Sequence, residues 1–535
     1  MTFDIPALTI PQFLLSTTFQ QLAILTVTFL FTWIGCIKGD WVSDDWEGVY
    51  KFSDRYNGDK EERLDWYEEV IGEKKEKKRY KNTAFNPHIK FPGSVIRWLR
   101  LNICKKFQVI GKNKKGHEIY GYVQDRTRHH IINLVIHYAN IILGFFFLCH
   151  VTTPQIAFLA TLLFCVHPVT VQSVAWISGI GYTMSLLFTL LALNVAFWIP
   201  NPLIATPIIA LLTFMACSSL LSGMANFVIL AFLGFWYPAA AALLVSIFCL
   251  FTQGKFVVKI RTDAFKEQQM GRSTYLNWRK PIVMLKTFYY YMKLIPFPKR
   301  LGLYHEWGYH YDEKMERPDL MFWKGCALLL ALAFLFIPFH EVRLGLLWTV
   351  VYLALFLNVI TAQQTVADRY AFISCFGFCL VLATVLSHFP LWIFGVIFGI
   401  YLMRTWSHIP TYDNEIKFYQ SNVWNFPRSE VALGNLGVTY MRVGLQGMAI
   451  DSWYLASQVN PDYDVPHYNL YSVMKTQGAW QLARDHLKKC LDARVCHFPD
   501  QWGQEMTHLD ATLRSMEPMQ NHVNRMNRYV TEAKI

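Results

Sequence analysis

The sequence predicts an all-α polytopic membrane protein that ends in a wet helical-repeat segment. Three observations predict it. Of 535 residues, 53% are hydrophobic, 16% aromatic and only 16% charged, whereas a soluble globular chain is about 45–50% apolar and about 25% charged. Apolar runs of span length recur along the chain. Two segments near the C-terminus align at a period of 34 residues. The composition excludes an ordinary soluble enzyme, a disordered chain and a fibrous protein. A net charge of +12 would suggest nucleic acid in a soluble protein. Beside this hydrophobicity it points to loops that meet lipid headgroups, and no nucleic-acid partner is expected.

A span needs about 20 mostly apolar residues. Residues 17–37 form the first, retained because no small-residue cleavage site follows it. A polar stretch, 38–128, comes next. Apolar runs then lie near 129–151, 154–168, 181–199, 203–218, 223–236 and 237–254, some short enough for re-entrant pieces. After a second wet stretch, 257–320, more follow near 322–339, 342–360, 368–386 and 388–405. The expectation is about eleven spans, with a membrane domain over 1–405 and a repeat domain over 406–535. An odd number puts both long loops and the tail on one face of the membrane, opposite the N-terminus.

The first loop is basic, with 20 Lys/Arg against 12 Asp/Glu over 47–128 and the run Lys74–Arg79 at its centre. A solvated helix face explains the run better than a specific anion site does. In the second loop, Arg279–Arg300 has basic ends around an aromatic body. That pattern predicts a helix in the interface plane, with Tyr289, Tyr290 and Tyr291 at headgroup depth. Of 11 cysteines, most sit inside apolar runs and read as small hydrophobes. No CxxC pair occurs, so neither a disulfide framework nor a metal site is expected.

Residues 430–463 and 464–497 are the two copies of the 34-residue period. The first carries Leu433, Leu436, Gly437, Tyr440, Gly444, Ala449, Trp453, Ala456 and Pro461 at tetratricopeptide (TPR) spacing. So few repeats must lean on the membrane domain or its loops. Binding an extended partner, through Tyr440 and Trp453, and simply capping the loops are both open.

Four constellations carry chemistry. Asp44 and Asp45 follow the first span between Trp41 and Trp46. A carboxylate there suits a general base, though a turn outside the bilayer also explains it. His130, Asn133 and His137 share one face of the second span. Polar groups at that depth usually meet a cavity or a polar partner, and inter-span hydrogen bonding fits them better than metal binding. His167–Gly179, with Gln172 inside it, is a polar reversal between two apolar runs. Asp368 and Arg369 open a late span, where a guanidinium either anchors the helix or reaches a lipid phosphate.

In this order these segments resemble the transmembrane and TPR-repeat O-mannosyltransferase family and its bacterial relatives, within the C-type glycosyltransferase superfamily. The matching pieces are Asp44-Asp45; His130, Asn133 and His137; His167–Gly179; Tyr289–Leu303; Ala367–Tyr370; and the repeats. The resemblance covers most of the chain and fails across 48–128. It implies a C-type bundle and an inverting transfer of a sugar from a polyprenyl or dolichyl phosphate to a protein Ser/Thr hydroxyl. By position, Asp44 or Asp45 would be the base. Arg369, Arg128 and His167 would meet the donor's phosphate and lipid. His130, Asn133, His137, Gln172 and Asp368 would line the cavity. No cofactor is required, and a divalent cation is left open. Two cations usual in the family are absent: Ile180 follows Gly179, and Gly223 follows Ser222. A relative that kept the fold and serves as a scaffold through its repeats is therefore the alternative. The chain has no Asn-x-Ser/Thr sequon. This favours a bacterial inner membrane, or an organelle without the glycosylation machinery, over the endoplasmic reticulum.

Overall fold

The computed structural model describes residues 18–43, 45, 95, 96, 99, 103–112, 118–254, 280–305, 317–335, 339–357, 366–493 and 499–532. Asp44 and the run Lys74–Arg79 lie outside the described residues. Helix α1 (Thr18–Trp33) continues as the 3-10 turn Ile34–Lys38. Helix α2 (Arg126–Val151) starts where the Asp125 carboxylate accepts the Arg128 N–H. Helix α3 (Pro154–Val166) is capped by Thr153 and has proline in its first turn. It stops at His167, which is extended ahead of Pro168. The chain then reverses through Pro168–Thr170, the short helix α4 (Val171–Ala175) and Ile177–Gly179. Helices α5 (Ile180–Trp198), α6 (Pro202–Ser219), α7 (Asn226–Phe232) and α8 (Trp236–Cys249) follow. Later come α9 (Lys280–Leu294), α10 (Leu320–Leu335) and α11 (His340–Ala354). The turn Asp368–Ala371 then leads into α12 (Phe372–Leu386), and α13 (Leu391–His408) closes the bundle.

Among the described residues, five stretches are long and apolar enough to cross a membrane: Thr18–Lys38, Arg126–Val151, Ile177–Trp198, Pro202–Ser219 and Asp368–Leu386. Pro154–Val166 with Pro168–Ala175, bent by 52°, makes a sixth if the pair is one span. Other apolar runs fold into shorter helices. Gly234, in the left-handed region at φ 85°, separates α7 from α8. Buried rings of Phe145, Phe147, Phe164, Trp348, Phe372 and Phe376 fill the middle of the bundle. Polar side chains tie spans together: Asn140 Nδ2 donates to Thr183 O at 2.9 Å and Asn194 Nδ2 to Leu143 O at 3.0 Å.

Two features depart from the sequence reading. An antiparallel hairpin, β1 (Lys105–Lys112) with β2 (Glu118–Gln124), stands in an otherwise helical chain. And α9 does not lie free at an interface. Lys286, Thr287, Phe288 and Tyr291 are buried, and the Tyr291 hydroxyl bonds both the Ala367 N–H (3.1 Å) and carbonyl (3.2 Å). The pattern of spaced aromatics that reads as an interfacial face serves here as a packing face.

The tail is helical: α14 (Glu415–Asn425), α15 (Glu430–Arg442), α16 (Gln446–Val459), α17 (Asp464–Thr476), α18 (Trp480–Asp492) and α19 (Pro499–Glu532). α15/α16 and α17/α18 are hairpins whose first residues step by 34, from 430 to 464 and from 446 to 480. Each hairpin turns at a glycine with positive φ, Gly444 (82°) and Gly478 (75°). Gly444→Ala is expected to cost about 1 kcal/mol, because a Cβ is strained in that conformation. Thermal unfolding of the purified chain measures it, and no shift would mean the turn relaxes freely. The sequence placed Tyr440 and Trp453 at a partner surface, but both are buried. Trp453 Nε1 donates to Gly434 O at 3.0 Å, and Tyr440 takes the Gln420 amide at 2.9 Å. They hold helices together: Trp453 closes the first hairpin against the small Gly437, and Tyr440 ties α15 to α14.

Residues 295–305 form a strap between bundle and tail. On the bundle side, Tyr401 donates to Pro296 O (3.0 Å), and Arg404 donates to the carbonyls of Pro298 (3.2 Å) and Lys299 (2.6 Å). On the tail side, Asn422 Oδ1 accepts the N–H groups of Leu303 (2.7 Å) and Tyr304 (3.3 Å), and Asn425 donates to Leu301 O (3.0 Å). The tail therefore leans on the second loop.

Candidate functional site

The segments singled out in the sequence meet at one place. Ser43, just before the acidic pair, has a left-handed backbone (φ 54°), uncommon for a residue with a side chain and often found at functional turns. This turn carries the Asp45 carboxylate into the reversal. Asp45 Oδ1 accepts the Ser178 N–H (2.9 Å) and hydroxyl (2.6 Å), and Oδ2 accepts the Val42 N–H (3.3 Å). Trp176 Nε1 donates back to Val42 O (3.2 Å). The Arg369 guanidinium lies over Trp176 (5.3 Å) and Tyr370 (4.8 Å), while the Arg369 backbone N–H is taken by Gln172 Oε1 (2.7 Å). Asn133 braces the reversal from α2: its amide donates to Ser173 O (3.1 Å) and Val174 O (2.7 Å), and its oxygen accepts from Thr183 (2.7 Å). Asp45, the reversal and Arg369 thus share one site.

Two further residues belong to it that the sequence did not point to. Asp368 Oδ1 accepts from His305 Nε2 (2.9 Å), Oδ2 accepts the Gly302 N–H (2.6 Å), and His305 Nδ1 meets the Tyr290 hydroxyl (2.8 Å). With Nε2–H on the carboxylate, Nδ1 is the acceptor of the phenol proton, the orientation of a carboxylate–imidazole–hydroxyl relay. Asp368 is therefore an orienting carboxylate rather than a bare cavity wall. The other residue is Tyr412. Burial first, and the Asp368 carboxylate next, hold its phenol well above the ordinary value, and Arg369 and Asp45 also act on it. The Tyr412 hydroxyl and the Gln172 amide nitrogen are buried without a hydrogen-bond partner in the protein. Such groups are uncommon and call for an explanation. No span-length pattern marks His305 or Tyr412, since one lies in the second loop and the other in the lead-in to the tail.

The remaining candidates go elsewhere. Arg128 is exposed and clasps the hairpin, donating to Ile103 O (3.3 Å) and Lys105 O (2.6 Å). It is not aimed at a phosphate beside Arg369, because the strands offer its fork two carbonyls. His137 is enclosed by the rings of Phe29, Trp33, Phe164 and Phe372, at 5.2–5.8 Å, so it packs rather than lines a cavity. His130 is buried against Gly39. His167 is fully buried, with its ring 4.5 Å from Tyr401 and its Nδ1 accepting the Val169 N–H at 3.3 Å. At the two positions where the resemblance would place a cation, the residues present pack. Ile180 packs with Ile136, Met184, Phe188 and Ala216. A Cβ at Gly223 would stand 2.5 Å from the Cys217 backbone nitrogen, so no lysine fits there.

Comparison with protein-family models, with curated proteins and with solved structures found no match.

Proposed function

We propose that this chain is a multi-pass membrane glycosyltransferase. It moves a sugar from a polyprenyl phosphate to a hydroxyl acceptor, with both long loops and a TPR tail on the extracytoplasmic face. The observation that carries the reading is the convergence of Asp45, Trp176–Ser178 and Arg369, which are far apart in sequence. In this reading Arg369, laid on Trp176, meets the donor phosphate as a planar cation. The unpartnered Gln172 amide and Tyr412 hydroxyl supply neutral donors beside it, the kind of pre-organised polarity that stabilises a leaving anion. An acceptor hydroxyl loses its proton to a carboxylate at the end of the first span or to the Tyr290–His305–Asp368 relay as it attacks the anomeric carbon. The test is transfer from a radiolabelled polyprenyl-phosphate sugar by the purified chain. Arg369→Ala is expected to lower turnover at least 100-fold, and Asp45→Asn at least 10-fold, with folding retained. Turnover that survives both changes rules the mechanism out.

One observation favours a second reading, a scaffold. Asp45 is fully buried with both oxygens engaged, and hydrogen bonds to a carboxylate make it a weaker base. Together with apolar packing at Ile180 and Gly223, this suits a relative that kept the fold alone. A stable stoichiometric complex that purifies without transferase activity would select it.

A further inference from the structure

Independently of the transferase reading, we propose that His167, Cys375 and Cys379 form a zinc site inside the bundle. Cysteines four apart on α12 present both sulfurs on one helical face. Their Sγ atoms stand 3.9 Å apart, close to the roughly 3.8 Å separating two thiolates at about 2.3 Å on a tetrahedral zinc. A ring nitrogen of His167 completes the group, with the three ligand atoms all within 4.8 Å of one another. All three residues are fully buried. His167 Nε2 has no hydrogen-bond partner, although an unpaired imidazole nitrogen among apolar neighbours is costly. Nδ1 accepts the Val169 N–H at 3.3 Å, a bond the ring gives up on binding the metal, and the ring also meets the backbone of Ile295, an acceptor for the N–H that then remains.

Charge decides the class of ion. Binding releases both thiol protons to solvent. Zn²⁺ with two thiolates and a neutral imidazole then has no net charge, which a buried site tolerates, whereas a monovalent soft ion would leave a buried anion. The site falls at the break between α3 and α4, where His167 has left the helical ladder. The metal would pin that bend to α12 and through it to the turn bearing Arg369. A CxxC search misses it, because its sulfurs follow the helical repeat and its imidazole comes from a separate span.

The experiment uses the purified full-length chain, stripped with a chelator and titrated with Co²⁺ alone. One equivalent is expected, with thiolate-to-cobalt charge-transfer and tetrahedral visible bands that Zn²⁺ bleaches. Cys375→Ser and Cys379→Ser should each abolish the bands, His167→Ala should weaken binding at least tenfold, and Cys326→Ser should change nothing. Absent bands in the folded wild-type chain, or bands that survive the double cysteine change, overturn the site. So does their loss on Cys217→Ser, which would move the metal to the Cys217–Cys249 pair. If the variants fail to fold, zinc-edge X-ray absorption on the unaltered chain decides: two sulfurs and one nitrogen support the site, and a shell without sulfur overturns it.

Discussion

Asp368→Ala is expected to destabilise the chain by about 3–5 kcal/mol. Both partners of the carboxylate are buried. Without it, His305 Nε2 and the Gly302 N–H lose their acceptor, and an unmet buried group costs about 1–3 kcal/mol. Asp368→Asn keeps an oxygen for Gly302 and should lose less. Thermal or denaturant unfolding in detergent gives both numbers, and an Asp368→Ala chain as stable as wild type would mean that water enters freely. The change should also release Tyr290 from its imidazole, because an unoriented His305 can flip. A transferase assay on Asp368→Asn therefore separates relay from strut: lost turnover with retained stability selects the relay.

Asn422→Ala should cost about 2–4 kcal/mol, since it strips the acceptor from two buried backbone donors, those of Leu303 and Tyr304, at once. Asn422→Asp keeps the acceptor and should be milder. The loss should be local: the strap becomes accessible to protease, and the tail melts ahead of the bundle. A single unchanged transition with no new cleavage would show that the tail is held elsewhere.

How far the chain was legible from its residues follows from where each signal is written. Span length and the 34-residue period are local, and the helices appear where those patterns run. The break between the 223–236 and 237–254 runs was legible, and a glycine with a left-handed backbone, Gly234, marks it in the structure. Asp45, Trp176 and Arg369 were legible as motifs, but their contact depends on the bend at Pro168, and that arises only when α3 and α4 pack. His305 carries no pattern of its own, because it gains its role from a partner 63 residues away. Tyr440, Trp453 and Tyr291 misled for one reason. An aromatic with a polar tip reads alike whether the tip meets solvent, lipid or a backbone carbonyl.

The strap also sets an order of biosynthesis. Leu303 is bonded to a residue 119 positions further along the chain. At about 5–20 residues per second, a nascent chain waits on the order of ten seconds between the two. During that interval the N–H groups of Leu303 and Tyr304 lack their acceptor while α10 through α13 are made. Helix α14, made after α10 through α13, therefore finishes the assembly of the second loop. A chain cut after residue 405 would lack more than its tail, because the strap's N–H groups at Leu303 and Tyr304 would have no acceptor.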